Sequence, residues 1–402
     1  MERYSEYKDS GVKWLGEIPS HWNMQRWRFL LVENTEKNSD CTIRTQLQFR
    51  YGNIVRKANQ GEDSDALETI SKYTIVDMND IMINGLNLNY DFVSQRVAQV
   101  KEKGVITSAY ISLRPTEIAD SRYYTYFLKS MDSKKMFHGM GTGIRLTLSY
   151  NELKNQFIPN PSLNEQRAIA NYLDSVTAKI DETIAQQQKM IDLLNERKQI
   201  IINKAVTKGL DSNVKMKPSG IDWIGEIPEH WEIRKASLCV DISNGSDPKT
   251  EGDVPVYGSG SNSFRTCGEY KEGPCVLIGR KGATLHIPHY IEGRYWNVDT
   301  AFDVKTKSND ILLEFYYLLA TQFDYKYYIS QTTLPSMTSF DYNRMKLPIP
   351  PLREQMKIIE YVKLSTNSID SAIKSAEKLI SLLQERKQII INDVVTGKIK
   401  VV

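Results

Sequence analysis

Four cysteines in 402 residues, Cys41, Cys239, Cys267 and Cys275, are too few and too scattered to form a disulfide framework. They are expected to be reduced thiols in a cytoplasm. No run of about 18 apolar residues is present, so no membrane span or membrane partner is expected. The N-terminal MERYSEYKDS is too polar for a secretory signal peptide. A strong charge of one sign is also missing. The net charge of +3 neither indicates nor excludes nucleic-acid binding, because basic residues can cluster on a nearly neutral chain.

Catalytic signatures are lacking too. The chain has no G-x-S-x-G, no H-E-x-x-H, no carboxylate dyad and no P-loop, although Gly279-Arg280-Lys281-Gly282 suggests one. Gly139, Gly141 and Gly143 form a glycine string without the strand-to-helix unit of a dinucleotide site. Asn160-Pro161-Ser162 lacks the second proline and the aromatic ring with which amino-methyltransferases hold a flipped base. Cys267, Cys275, His286 and His289 carry zinc-ligand atoms, but their spacing misses the usual close-paired cysteines. For a chain of this size, these absences point away from chemistry of its own, and no cofactor is expected in it.

What the chain does have is repetition. LLNERKQIIIN (Leu193 to Asn203) returns as LLQERKQIIIN (Leu382 to Asn392), identical at ten of eleven positions at an offset of 189. In the first copy Ile169, Leu173, Val176, Ile180, Thr183, Gln187, Met190, Leu194, Arg197 and Ile201 fall at alternating spacings of four and three. That is a heptad seam, and adding 189 gives the same seam in the second copy. Ser162 with Glu165 forms a capping box before the first copy; Pro350 and Pro351 precede the second. Gly209 and Gly397 close them as left-handed caps. Two long helices paired in an intramolecular coiled coil are expected. A second repeat precedes each helix: SGVKWLGEIPSHWN (Ser10 to Asn23) matches SGIDWIGEIPEHWE (Ser219 to Glu232) at nine of fourteen positions. Its tryptophans, Trp14, Trp22, Trp223 and Trp231, read as packing anchors better than as a reactive site.

The inserts between motif and helix, residues 24–158 and 233–347, look largely unrelated in sequence. Both show short strand-like runs (Asp80 to Ile83 and Val105 to Leu113; Cys275 to Ile278 and Trp296 to Val304), then a helical aromatic segment and a polar loop. Small polar loops carrying Arg or Lys suit close approach to a polyanion, with Ser and Asn placed to read base edges. The candidates are Asn84, Asn87, Asn89, Arg96, Thr142 and Arg145 in the first insert. In the second they are Ser259, Ser261, Asn262, Arg265, Arg280, Lys281, Thr284, Ser336 and Thr338. Ordinary surface turns are the competing reading of each. The repeated charged block, Glu196, Arg197 and Lys198 with Glu385, Arg386 and Lys387, reads either as a solvated face or as a docking surface for partner subunits.

Taken whole, the chain resembles the specificity subunit of a type I restriction–modification enzyme. The resemblance rests on the duplicated W-x-G-x-I-P-x-H-W motif, on a proline-rich lead into Glu-Gln at each helix start (Ile158 to Gln166, Leu347 to Gln355) and on LL-x-ERKQ-I-I. The stretch Cys275 to Phe302 also resembles the core of a family target recognition domain. It implies an α+β fold of two tandem target recognition domains, mixed and strand-rich, each followed by a long helix. The helices would pair antiparallel with pseudo-twofold symmetry. The domains would be 1–160 and 210–349, with spacer helices at 161–209 and 350–402. The implied role is non-catalytic: each domain reads half of a bipartite double-stranded DNA target, and the helices set the gap between the halves. Two modification subunits carrying S-adenosylmethionine would methylate adenine, and two restriction subunits would use ATP and Mg. The alternative is a coiled-coil scaffold whose modules bind protein or glycan.

Overall fold

Both repeat copies form long helices in the computed structural model, Leu163–Lys208 and Leu352–Val395. The structure describes residues 2–58, 64–143, 146–260, 262–329 and 335–401. At the head of the first helix the Ser162 hydroxyl accepts the Glu165 N–H at 3.3 Å. At the head of the second the Pro351 carbonyl accepts the N–H groups of Glu354 and Gln355. Both contacts satisfy donors that a helix start leaves unpaired. Both helices end on a left-handed glycine, with φ of +72° at Gly209 and +74° at Gly397. A side chain would also collide at Gly397 and crowd its neighbours at Gly209. A Cβ at Gly397 would lie 2.7 Å from Pro19 Cγ and 3.1 Å from Trp22, and one at Gly209 would lie 3.2 Å from Trp231. The left-handed backbone demands glycine at both positions, and close approach to the Pro19 ring demands it again at Gly397.

The buried line of each helix departs from the expected seam by one residue at several positions. Beyond Ile180 it runs through Ile184, Gln187, Ile191, Leu194, Lys198 and Ile202, while Met190 and Arg197 face solvent. In the second copy it runs through Ile373, Ala376, Ile380, Leu383, Lys387 and Ile391, with Leu379 and Arg386 outside. Leu173, Ile180, Gln187 and Leu194 belong to both frames, so the residues between them decide. Ile191 offers stiff apolar surface and wins over the flexible, exposed Met190, whereas Thr183 and Ile184 are both half-buried, with Ile184 packed against the core.

Each helix contributes to two compact units, Met1–Gln186 with Lys378–Val402, and Gln187–Glu377. In the first unit Lys387 Nζ lies 2.6 Å from an Asp181 carboxylate oxygen. The tail of the second helix meets Trp22, whose indole N–H donates to Glu165 at the head of the first. The pairing there is antiparallel. In the second unit Lys198 Nζ lies 2.6 Å from Asp370, and the tail of the first helix, at Gly209, meets Glu354 at the head of the second. The two ion pairs are repeat equivalents, related by the same offset of 189.

The inserts share one topology despite their unrelated sequences. In the first unit an antiparallel sheet runs Leu31–Glu33, Ile111–Pro115, Ile81–Ile83, Val97–Gln99. In the second the order repeats as Val240–Asn244, Ala301–Thr306, Cys275–Gly279, His289–Ile291. A second layer follows the same plan. The hairpin Leu47–Arg50 with Asn53–Arg56 reaches the pair Thr74–Val76 and Gly104–Ile106 through a parallel bridge from Gln46 to Val105. The hairpin Val254–Tyr257 with Arg265–Cys267 runs parallel to Arg294–Asn297, which pairs with Lys271–Glu272. Two expected strands are in fact broken. Val105 to Leu113 bends at Thr107–Tyr110, and Trp296 to Val304 bends at Val298–Ala301. Each apolar run thus serves both layers, because Ser108 and Asp299 sit at turns that hydrophobicity alone does not reveal. The aromatic helices, Ser121–Ser133 and Leu313–Ala320, bury Tyr123, Phe127, Phe315 and Tyr316 in the two cores. Among the described residues no helix is long and apolar enough to cross a membrane.

Gly397→Ala is expected to cost about 2 kcal/mol or more, from the left-handed backbone and the contact with Pro19. Gly139→Ala, where a Cβ meets nothing, is expected to leave the thermal midpoint near wild type. Calorimetry of the two variants checks this, and equal midpoints would contradict it.

Candidate nucleic-acid interface

Each strand-rich module is held to its helix by the Glu-Gln pair at the helix head. Glu165 accepts from Tyr4 O–H at 2.7 Å and from Trp22 N–H at 2.8 Å, and His21 Nε2 lies 3.2 Å from both of its oxygens. Burial and the Glu165 carboxylate hold the Tyr4 hydroxyl far above its usual pKa, so it stays a donor. In the second unit His230 Nε2 lies 2.9 Å from Glu354. The neighbouring glutamines are fully buried. Gln166 donates to the carbonyls of Ile118 and Pro161 and accepts from Asp120 N–H; Gln355 donates to Asp310 and Pro350 and accepts from Leu312 N–H. The motif histidines and tryptophans therefore position the modules.

In the first unit two loops are joined edge to edge. Leu88 N–H donates to Leu146 O at 3.2 Å, and Leu148 N–H to Gly85 O at 2.9 Å. This brings Asn84, Asn87 and Asn89 beside Thr142, which pairs with Thr147. Asn87 is exposed, with a left-handed φ of +52°, and Asn89 is half-buried. The Asn84 carboxamide accepts Leu86 N–H within its own turn. Arg96 corrects the expectation of a base-reading arginine. It is fully buried, and its guanidinium donates to the carbonyls of Asn84, Leu86, Asn87 and Asp91. Its own N–H donates to Asp132 at 2.7 Å. Arg96 shapes the loop from behind. The Ser94 N–H, seconded by the Ser94 hydroxyl and Val93 N–H, holds the Asp91 carboxyl down to about 2, so the loop keeps a fixed acceptor. Arg145 lies outside the described residues.

In the second unit three polar stretches converge. Arg280 N–H donates to Thr300 O, Met337 N–H to Arg280 O and Gly282 N–H to Pro335 O. Lys281 bridges to Ser336, and the Ser259 and Thr284 hydroxyls lie 3.2 Å apart. Arg280 is half-buried and donates to Asp299 O, while Lys281 lies 2.9 Å from the Asp299 carboxylate. Thr338 acts locally, capping the helix Ser339–Arg344 through a reciprocal box with Asp341. Asn262 and Arg265 are exposed on the neighbouring hairpin, and Arg265 lies 2.6 Å from Asp247. Ser261 lies outside the described residues.

Several exposed residues at these loops escaped the sequence reading: Tyr51, Tyr90 and Phe92 in the first unit, Phe264 and Phe340 in the second. Arg50 stacks over Tyr51 at 5.3 Å, Arg265 over Phe264 at 5.4 Å, and Arg344 over Phe340 at 5.7 Å. Tyr51-Gly52 between two strand-like runs is a two-residue hairpin signal that could have found the first of these. Among the described residues no group of three or more His, Cys, Asp or Glu side chains could hold a metal ion. Cys275 is buried in the sheet, its thiol pushed up to about 12 by desolvation.

The charged block on the helices divides. Lys198 and Lys387 turn inward to Asp370 and Asp181, whereas Glu196, Arg197, Glu385 and Arg386 are exposed. Beside them runs an exposed apolar stripe, Met190, Leu193 and Ile200, repeated as Leu379, Leu382 and Ile389.

The model of the type I restriction modification DNA specificity domain matches residues 49–192 and 228–379. The type I restriction enzyme MjaVIII specificity subunit of Methanocaldococcus jannaschii is 27% identical over 98% of this chain and 97% of its own length. The putative MjaX specificity subunit of the same organism is 25% identical over 98% of each chain. A solved structure from work on complex assembly and conformational transition of the type I R-M system superposes with a TM-score of 0.67. It is 14% identical, over 95% of this chain and 99% of that one, and speaks for the fold alone. The family model spans well over half of the sequence, and this chain belongs to the type I restriction modification DNA specificity family.

Proposed function

We propose that this chain is the non-catalytic DNA reader of a cytoplasmic restriction–modification complex, each unit recognising one half of a bipartite duplex target. One observation carries the reading: the same strand order recurs in both units while the loops and hairpin tips, with their arginines and exposed aromatics, differ. A constant framework with variable polar tips suits two readers of different base sequence. Adenine methylation with S-adenosylmethionine, and cleavage driven by ATP and Mg, would then reside in partner subunits.

The repeated apolar stripe supports two identical docking sites for a methyltransferase subunit. Exposed apolar side chains flanked by charge, as Leu193 is by Glu196 and Arg197, favour a partner helix over open solvent. Its occurrence once in each helix copy supports two modification subunits per chain.

A complex of this chain with its methyltransferase subunits is expected to select two short fixed blocks separated by a constant gap from a random duplex pool. Enrichment of a single block, or of none, would contradict the proposal. Leu193→Asp with Ile200→Asp is expected to lower the methyltransferase subunits bound per chain from two to one, read by mass photometry. An unchanged stoichiometry would remove the stripe from the interface.

A further inference from the structure

Two arginines flank the tips of topologically equivalent hairpins, one at the end of the first strand and one at the start of the second. Arg50 ends the strand Leu47–Arg50, next to the hairpin tip, and Arg265 begins the strand Arg265–Cys267 in the corresponding hairpin of the other unit. The correspondence rests on topology: in each unit this hairpin joins the second layer in parallel, at Gln46 to Val105 and at Val256 to Trp296. No sequence likeness links the two hairpins. Nevertheless each presents an exposed arginine against an exposed ring, Tyr51 or Phe264.

We propose that Arg50 and Arg265 are specificity-determining residues, each reading a guanine in its own half-site from the tip of an equivalent hairpin. A two-stranded ribbon fits the major groove, and a planar guanidinium matches the O6 and N7 acceptors of guanine. Contact with an aromatic ring restrains the guanidinium fork before DNA arrives, so less side-chain entropy is lost on binding. The first tip is also rigid. Tyr51 and Gly52 have φ of +48° and +71°, the two-residue turn that suits the twist of paired strands. Gly52 lies so close to Gln95 that a Cβ would overlap its side chain, which seats the tip beside the loop bearing Tyr90 and Phe92.

The other candidate arginines are occupied differently. Arg96 is buried under its loop, and Arg280 is half-buried against Asp299. Among the described residues no carboxylate lies within ion-pair distance of Arg50. Asp247 meets Arg265 at one terminal nitrogen, 2.6 Å away. That carboxylate is itself exposed and fixes the arginine from one side.

The inference rests on the proposed role as DNA reader, and its test separates the two. Complexes of wild type, Arg50→Ala, Arg265→Ala and Arg50→Lys with the methyltransferase subunits are put through selection from a random duplex pool. Affinities are then measured on the wild-type site. Arg50→Ala is expected to lose one guanine from one half-site only, and Arg265→Ala one guanine from the other only. Each loses roughly ten- to hundredfold on the wild-type site. Arg50→Lys is expected not to restore the preference, because an ammonium lacks the fork. Replacing the guanine by 7-deazaguanine should weaken wild type and leave the matching alanine variant unaffected. An unchanged selected motif, equal loss on scrambled DNA, or a half-site without a G·C pair would overturn the inference and leave the reader role standing. Failure of wild type to select any bipartite motif would overturn the reader role itself. Both arginines are exposed, and matching thermal midpoints confirm that the variants are folded.

Discussion

The antiparallel pairing of helix segments inside each unit is the constraint on which everything else depends. The first unit needs the tail of the second long helix, because Trp22 seats against Gly397 and Tyr123 O–H donates to the Val395 carbonyl. The second needs the tail of the first, where Gly209 meets Trp231. The apolar seam supplies most of the stabilisation. Partly exposed ion pairs such as Asp181–Lys387 are worth about 0–1 kcal/mol each. Their more informative property is position. A lysine in the seam opposite an aspartate is satisfied in one register only, as polar seam residues generally specify alignment.

From the helix heads the constraint passes to the modules. Glu165 gathers Tyr4, His21 and Trp22, while Gln166 bridges to the turn before the aromatic helix at Asp120. Gln355 repeats that bridge at Leu312. A buried glutamine with all its bonds inside one unit fixes angle as well as distance, since each lost bond would leave a buried polar group unpaired. The loops are then shaped from behind, by Arg96 in one unit and by the Arg280, Thr300 and Met337 backbone in the other. The outward residues can vary without disturbing that support.

The duplication, the long helices and their glycine caps were legible because each rests on strong local chemistry: a repeat at fixed offset, prolines before, glycines after. The expected Ser162–Glu165 capping box forms only its Ser162 half, because the Glu165 carboxylate accepts instead from Tyr4 and Trp22. The seam was half legible. Leu173, Ile180, Gln187 and Leu194 fit either frame, and only packing against the partner helix chose Ile191 over Met190. Strand breaks at Ser108 and Asp299 were hidden inside apolar runs. The common topology of the inserts was not legible, since strand order leaves little trace in unrelated sequences. Among the site residues, Arg96 shows the limit most plainly. Its residue type and its polar loop suggested an exposed reader, and burial reversed its role. Arg50 and Tyr51 were missed although Tyr51-Gly52 marks a hairpin, because the match to the second unit's hairpin exists in topology and not in sequence.

That this chain alone sets a two-part DNA specificity is tested most directly by single-molecule sequencing of genomic DNA. Cells that carry the chain and its methyltransferase subunit are compared with cells lacking only the chain. Methylated adenines are expected in a bipartite motif with a fixed gap, present in the first strain and absent from the second. Identical methylation in the two strains would contradict the claim.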